Sequence, residues 1–296
     1  MSTLTVFTPT YNRAYLLPES YETLRRQTCK DFEWLIVDDG STDQTQQLVE
    51  RWIQEREVAI RYFKTENRGK PSAINLSIDL CNSDLWVCLD SDDHLAENAV
   101  ELILEDYQKI KNQPECGGII GNMYTFQGTV LGEKRFPTEI EYVRHLEIRY
   151  KLDIDSDLIL IYKTSLLKNY RYPIIEGEKF IGESYLYEKM NTLYYIDRNQ
   201  LYFAEYREDG LTAGYLNLHI KNPKGYKLLK EQVMMMPKPW IHQFRGAIMY
   251  VAACRLCGDR DIVRNSPRKF ITALAYLPGM FAYEVKYHKL IKEKME

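Results

Sequence analysis

Three aspartates within four residues, Asp90, Asp92 and Asp93, follow the short apolar run Leu85-Trp86-Val87-Cys88-Leu89. Carboxylates this close repel one another unless a positive group lies between them. A divalent cation carrying a phosphate-containing ligand answers that need, because hard oxygen donors suit Mg²⁺ and Mn²⁺. The same acids would also serve as a turn ahead of the next helix, with Asp93 as N-cap to Leu95 onward. The apolar run reads as a buried strand, and in an open α/β sheet ligands bind outside the carboxyl ends of the strands. Both readings stand on this stretch alone, and the upstream sequence decides between them.

The elements that must position these acids follow one another regularly. Residues 4–8 read as a first strand ended by Pro9, residues 10–13 as a turn and residues 16–27 as a helix. A second strand at 32–37 ends in Asp38-Asp39-Gly40-Ser41, where Ser41 or Thr42 is placed to cap a helix over about 44–54. A third strand at 60–63 leads through the loop 66–70 into a helix over 71–80. Strand–helix spacings of about 25 to 30 residues argue for a parallel sheet with right-handed crossovers. The polar residues then collect after the strands, at Thr10-Tyr11, Asp38-Asp39, 67–70 and 90–93. Four loops at one sheet edge make a cleft for a nucleotide-type ligand.

Other classes are excluded. No Gly-x-Gly-x-x-Gly follows the first strand and no Gly-x-x-x-x-Gly-Lys-Ser/Thr occurs, which argues against a dinucleotide oxidoreductase or a P-loop NTPase. Phosphate charge would be met by a metal on the acids and by Arg13, Arg68 or Lys70. A net charge of −3 gives no footprint for nucleic acid. The 296 residues suffice for one large or two modest domains, and the 23 tyrosines suit half-buried surfaces with polar tips. Six scattered cysteines, several in apolar runs, and no leader-like segment before the first strand give the expectation of a cytoplasmic protein with reduced thiols. Cys254 and Cys257 have metal-like spacing without the second pair a zinc site needs.

Read in order, several stretches together resemble the family-two inverting nucleotide-sugar glycosyltransferases of the glycosyltransferase-A fold. They are Phe7-Thr8-Pro9-Thr10-Tyr11-Asn12-Arg13, Gln27-Thr28, Ile36-Val37-Asp38-Asp39-Gly40-Ser41-Thr42-Asp43, Asn67-Arg68-Gly69, Asn75 and Leu89-Asp90-Ser91-Asp92-Asp93. The match covers roughly the first 100 residues. It implies an α/β domain, Rossmann-like with a mostly parallel sheet flanked by helices, over residues 1–205, and a helical C-terminal region over 206–296. It also implies a UDP-sugar donor, Mn²⁺ or Mg²⁺ as cofactor, and transfer with inversion to a hydroxyl of a bacterial surface glycan. Pro9 and Thr10 would then lie along the nucleotide with Tyr11 on the face of the base. Asp39 would accept the uracil N3–H. Arg13, Asn67, Lys70, Asp90 and Asp92 would complete the nucleotide site. Asp93 would be the direct metal ligand, with Asp92 beside it. One departure is Ala73-Ile74-Asn75, where members commonly carry Ala-Arg-Asn; Lys70 is the nearby charge that would replace the missing arginine.

The family's general base sits in an acidic pair, typically Glu-Asp at a helix start, and here the pair reads Glu183-Ser184. The resemblance therefore implies Glu183 as base, with Glu176 and Glu178 as rivals. The charged stretch 133–157 is expected to be helical in part, as a flap over the donor. Arg207 is expected to pair with Glu208 or Asp209. Residues 270–285 are mostly apolar, broken by Pro278-Gly279, and flanked by Arg264, Arg268, Lys269, Lys286 and Lys289. That layout fits a segment in a membrane interface and equally a core helical hairpin with a basic face. With the membrane reading the acceptor is lipid-linked and the protein sits peripherally on the cytoplasmic face of the inner membrane. Two rivals remain. A sugar-nucleotide-forming nucleotidyltransferase would open on a Gly-rich phosphate loop, which is absent. A catalytically silent sugar-nucleotide-binding or assembly module would fit the Ile74 and Ser184 departures.

Overall fold

The computed structural model describes residues 2–207 and 214–292. The chain divides into two compact units, residues 1–171 with 190–205, and residues 172–189 with 206–296. Residues 172–189, read from the sequence as part of the first domain, cluster with the C-terminal helices.

The first unit is built on an eight-stranded sheet. In chain order its elements are β1 (Leu4–Thr10), α1 (Leu17–Arg25), β2 (Phe32–Asp38), α2 (Thr45–Glu55), β3 (Ile60–Lys64), α3 (Lys70–Leu80) and β4 (Leu85–Cys88). There follow β5 (His94–Leu95), α4 (Ala99–Ile110), β6 (Cys116–Asn122), β7 (Tyr142–Arg144), α5 (His145–Tyr150), β8 (Leu158–Lys163) and α6 (Thr164–Leu167). After α7 (Ser184–Met190), β9 (Leu193–Ile196) and β10 (Tyr202–Phe203) complete the unit. The sheet order is β3-β2-β1-β4-β8-β6-β9-β7. Strands β3, β2, β1 and β4 are parallel, whereas β8 runs antiparallel to both β4 and β6. The stretch read as a flap supplies α5 and β7, the sheet's last strand, paired with β9.

Burial on both faces explains the near-continuous apolar strands, as parallel sheets require. Leu4, Val6 and Phe7 are fully enclosed, and Trp34, Trp52 and Tyr21 stack beneath the sheet with centroids 4.3 to 6.2 Å apart. Registers Thr10↔Asp38, Asp38↔Lys64 and Phe7↔Cys88 bring the carboxyl ends of the four parallel strands to one edge. The chain leaves β1 toward β2 on one side and returns to β4 on the other. The gap between their following loops is thus a topological switch point, where such sheets bind ligands.

Two helix starts differ from expectation. Helix α2 is capped by neither Ser41 nor Thr42; Asp43 accepts the Thr45 N–H at 3.0 Å and the Thr45 hydroxyl at 2.6 Å. Asp93 caps no helix, because His94 and Leu95 form β5 and the next helix opens only at Ala99. The capping account of the acidic stretch therefore fails.

The second unit is helical, with α8 (Tyr215–Lys221), α9 (Pro223–Met235), α10 (Trp240–Leu256), α11 (Ile262–Asn265) and α12 (Lys269–Tyr283). A π-helical turn at Glu284–His288 leads into α13 (Lys289–Lys292). Met234, Ala247, Tyr250, Val251, Ile271 and Ala275 form its core between α9, α10 and α12. Gly279 lets α12 approach α10, since a Cβ there would stand 2.5 Å from that of Val251. The expected Arg207 pairing lies outside the described residues, because Glu208 and Asp209 do. Among the described residues all six cysteines are free and no helix is long and apolar enough to cross a membrane.

Candidate active site

Four loops meet at the sheet edge and are bonded into one another. After β1 the chain turns at Asn12, which adopts φ +53°. Its Oδ1 accepts the N–H groups of Thr42 (2.7 Å) and Asp43 (3.3 Å), while its own N–H donates to Ser41 Oγ at 2.8 Å. The Asp39 N–H donates to the Thr10 carbonyl at 2.8 Å. Pro9 and Thr10 thus end a strand held on both sides, and Tyr11 stands out half-exposed at their tip. The Thr10 hydroxyl is buried with no hydrogen-bond partner among the described residues. A buried hydroxyl in that state calls for a ligand or water.

The two aspartates after β2 have separate tasks. Asp38 accepts the Ser41 N–H at 2.7 Å and the Tyr62 hydroxyl, which holds the turn. Asp39 accepts the Arg68 N–H at 2.7 Å through Oδ1 and the Gly69 N–H at 2.8 Å through Oδ2. Gly40 is required between the loops: its φ is +84°, and a Cβ would lie 2.9 Å from the Asn67 nitrogen. Asn67 and Lys70 are carried to the cleft by this bonding.

Each acid after β4 meets a different partner. Lys70 Nζ reaches both oxygens of Asp90, at 2.8 and 2.9 Å. Arg13 lies 3.6 Å from Asp92. Tyr202, fully buried, donates its hydroxyl proton to Asp93 Oδ2 at 2.7 Å and accepts the Asp90 N–H at 3.1 Å. The Ser20 hydroxyl lies 3.0 Å from the Asp93 carbonyl and 3.3 Å from that of Ser91. Burial, reinforced by the charges of Asp90 and Asp92, pushes the Asp93 carboxyl up to about 8, against the pull of Tyr202 and Lys70. A carboxyl so placed attracts positive charge. No three His, Cys, Asp or Glu side chains converge on a cation centre among the described residues. Asp92 and Asp93 offer hard carboxylate oxygens, and a cation of the Mg²⁺ type takes one or two of these and completes its shell with phosphate oxygens and water.

Tyr202 is the residue that sequence reasoning missed. It reaches the acids because β10 pairs antiparallel with β5, with Tyr202 opposite Leu95 and Phe203 opposite His94. Ile74, in the place of the absent arginine, is buried in α3, where a charge would be expensive. Lys70, at the start of the same helix, carries the local positive charge.

Glu183 belongs to the second unit, immediately before α7. It is half-buried, its carbonyl accepts the Tyr172 hydroxyl at 3.1 Å, and the Tyr187 hydroxyl lies 3.4 Å from its Oε2. Its rivals are differently placed. Glu178 accepts the Lys224 and Gly225 N–H groups at 2.8 and 2.7 Å, tying up the start of α9, and Glu176 is exposed beside Gly177.

The chain is similar to several known proteins. A glucosyltransferase of Campylobacter jejuni, GalNAc(5)-diNAcBac-PP-undecaprenol beta-1,3-glucosyltransferase, is 25% identical over 250 residues, 79% of this chain and 76% of the relative. Escherichia coli chondroitin synthase is 34% identical over 106 residues, but these are 36% of this chain and only 15% of that enzyme. Among solved structures, S. aureus TarS 1–349 in complex with UDP-GlcNAc superposes with a TM-score of 0.63 at 16% identity, covering 99% of this chain and 92% of the other. A mannosyltransferase from Pyrobaculum calidifontis in complex with GDP-Man and Mn²⁺ gives 0.55 at 16% identity, covering 95% and 86%. The fold is therefore the glycosyltransferase-A type with a helical C-terminal region. The profile of Glycosyl transferase family 2 matches residues 5–171, more than half of the chain, and the chain belongs to that family.

Proposed function

We propose that the chain transfers a sugar, with inversion, from a UDP-sugar to a hydroxyl of a lipid-borne bacterial surface glycan. The observation that carries the reading is the convergence of Asp39, Lys70 and the Asp90–Asp93 acids on one cleft at the sheet's switch point, beside an unpartnered Thr10 hydroxyl. The undecaprenol carrier in the name of the Campylobacter relative, and UDP-GlcNAc in the TarS complex, support the lipid-borne acceptor and the uridine donor.

In this reading Tyr11 stacks on the base and Asp39 accepts the uracil N3–H with lone pairs left after binding the Arg68 and Gly69 N–H groups. Thr10 and Asn67 line the ribose, and Arg13 and Lys70 bring positive charge toward the phosphates. Asp92 and Asp93 would hold Mn²⁺ or Mg²⁺, which when bound neutralises charge on the diphosphate. The acceptor hydroxyl must lose its proton as its oxygen attacks the anomeric carbon on the face opposite the departing diphosphate, and Glu183 is the base that the family resemblance assigns to that task.

Calorimetric titration with UDP, with and without Mn²⁺, on wild type and Asp93→Ala tests the donor site. Metal-dependent binding lost in the variant is expected; no UDP binding with metal present would sink the assignment. Ile74 and Ser184 favour a second reading as a silent sugar-nucleotide-binding module. Metal-dependent hydrolysis of UDP-sugar without acceptor would dispose of it.

A further inference from the structure

Helix α12 carries no charged residue between Lys269 and Glu284. Its inner face packs on α10 through Ile271, Ala275 and Gly279. Its outer face presents Phe270, Leu274, Leu277, Phe281 and, in the π-turn, Val285, spaced four, three, four and four residues apart. The exposures are high: 79% for Phe270, 78% for Leu277 and 71% for Phe281. A surface helix facing water would carry its polar residues on that side. Here the stripe runs about 22 Å along the helix with none, and contiguous exposed apolar surface of this kind marks an interaction site.

Charge says what covers it. Arg264, Arg268 and Lys269 stand exposed at one end of the stripe and Lys286 at the other. The second unit as a whole holds 18 lysines and arginines against 12 acids, a net of +6, while the first holds 21 against 30, a net of −9. Two copies of this unit laid face to face would bring like charges together. An anionic bilayer surface would instead meet both features, taking the stripe into its acyl boundary and the cations among its headgroups. Trp240, 56% exposed at the start of α10, suits the same boundary, and Arg268 ties that helix to α12 by donating to Gln243 at 3.2 Å.

We propose that the outer face of α12, from Phe270 to Val285, is a docking surface for anionic lipid bilayers, with the helix lying in the plane of the interface. The inference goes beyond the sugar-transfer reading and stands whether or not that reading does, although a lipid-borne acceptor would be presented at such a surface.

The test is co-sedimentation of the full chain with vesicles of phosphatidylethanolamine and phosphatidylglycerol, and with vesicles of phosphatidylcholine alone, at low and high salt. Wild type should pellet with the anionic vesicles and release partly in salt. Leu277→Glu with Phe281→Glu should weaken that partition about a hundredfold or more, since each large apolar side chain contributes strongly to burial. Both positions face outward, so circular dichroism and UDP binding should match wild type. Lys269→Glu with Lys286→Glu should abolish the preference for anionic lipid without touching the stripe. Ile53→Glu, an exposed apolar site on α2, should change nothing. Wild type left in the supernatant, or the double Glu variant pelleting undiminished, overturns the proposal. So does a solution dimer that the double Glu variant dissolves. Vesicle binding without UDP binding would remove the sugar-transfer reading and leave this one intact.

Discussion

Asp39→Asn changes one atom and separates two tasks assigned to that carboxylate. In the folded chain Oδ1 accepts the Arg68 N–H at 2.7 Å and Oδ2 the Gly69 N–H at 2.8 Å. Whichever way the asparagine amide turned, its NH₂ group would face a backbone donor. One charge-assisted bond is lost and the other falls to neutral strength. At about 1.5–3 kcal/mol for a bond to a charged group and about 1 kcal/mol for a neutral one, the loss is roughly 2–5 kcal/mol. In a protein of this size that lowers the melting midpoint by at least about 4 °C, read by differential scanning calorimetry. The nucleotide task is isolated differently, by titrating wild type with UDP and with N3-methyl-UDP. Methylation removes the donor that Asp39 would read while leaving the loop untouched. Wild type should bind the methylated ligand about 10- to 150-fold more weakly, the value of one hydrogen bond to a buried charge. Asp39→Asn should bind the two ligands alike. Equal affinity of wild type for both would refute base reading by Asp39, and an unchanged midpoint in the variant would refute its anchoring of the 67–69 loop.

Tyr202→Phe removes the hydroxyl that serves both Asp93 and the Asp90 N–H, so stability should fall by about 2–3 kcal/mol in chemical denaturation, with weaker Mn²⁺-dependent UDP binding. Wild-type behaviour on both counts would deny Tyr202 any role in setting the acidic loop. Glu183→Gln should reduce transfer to acceptor at least about a hundredfold while UDP affinity stays within about twofold, and undiminished transfer would remove Glu183 as base. His219 is buried, stacked 3.7 Å from Tyr226 and 3.1 Å from the Tyr287 hydroxyl. Burial, aided by Lys230 and Lys286, lowers it to about 4. A base protonated less readily when folded stabilises fully above its unfolded value near 6.5, and that contribution is lost as pH falls toward 4. Over that window the helical unit should lose up to about 3 kcal/mol. His219→Phe should flatten the pH dependence of its melting; an unaltered slope would place the titration elsewhere.

The parallel half of the first unit was legible because each of its strands is a short apolar run followed directly by its polar loop. Phe32–Asp38 ends in the aspartates and Leu85–Cys88 leads to the acids, so the parallel pairing and the edge where the polar loops collect followed from local pattern, whereas the order of the strands did not. What Asp39 binds was not legible, since its partners are backbone N–H groups 29 and 30 residues away with no side-chain signature. Tyr202 was hidden for a related reason: a two-residue strand carries no periodicity, and its value arises from pairing with β5. Residues 172–189 looked continuous with the catalytic domain because the resemblance supplied only a role for Glu183. Their allegiance follows from contacts such as Asn222 accepting the Lys179 and Phe180 N–H groups. For residues 270–285 composition offered two readings, and a helix apolar on both faces looks the same in sequence whichever face is covered.

The bond between Tyr202 and Asp93 spans 109 residues. A ribosome adding about 5–20 residues per second needs roughly 5–20 seconds to cover that distance. Throughout that interval Leu85–Cys88 can already be paired with Leu4–Thr10 while the acids that follow have no tyrosine to hold them. The parallel strands are thus made early, and the hydroxyl that sets the acidic loop is among the last parts of the first unit to be translated. During synthesis, competence to hold the donor would appear late and abruptly, after the second unit's first segment has already emerged.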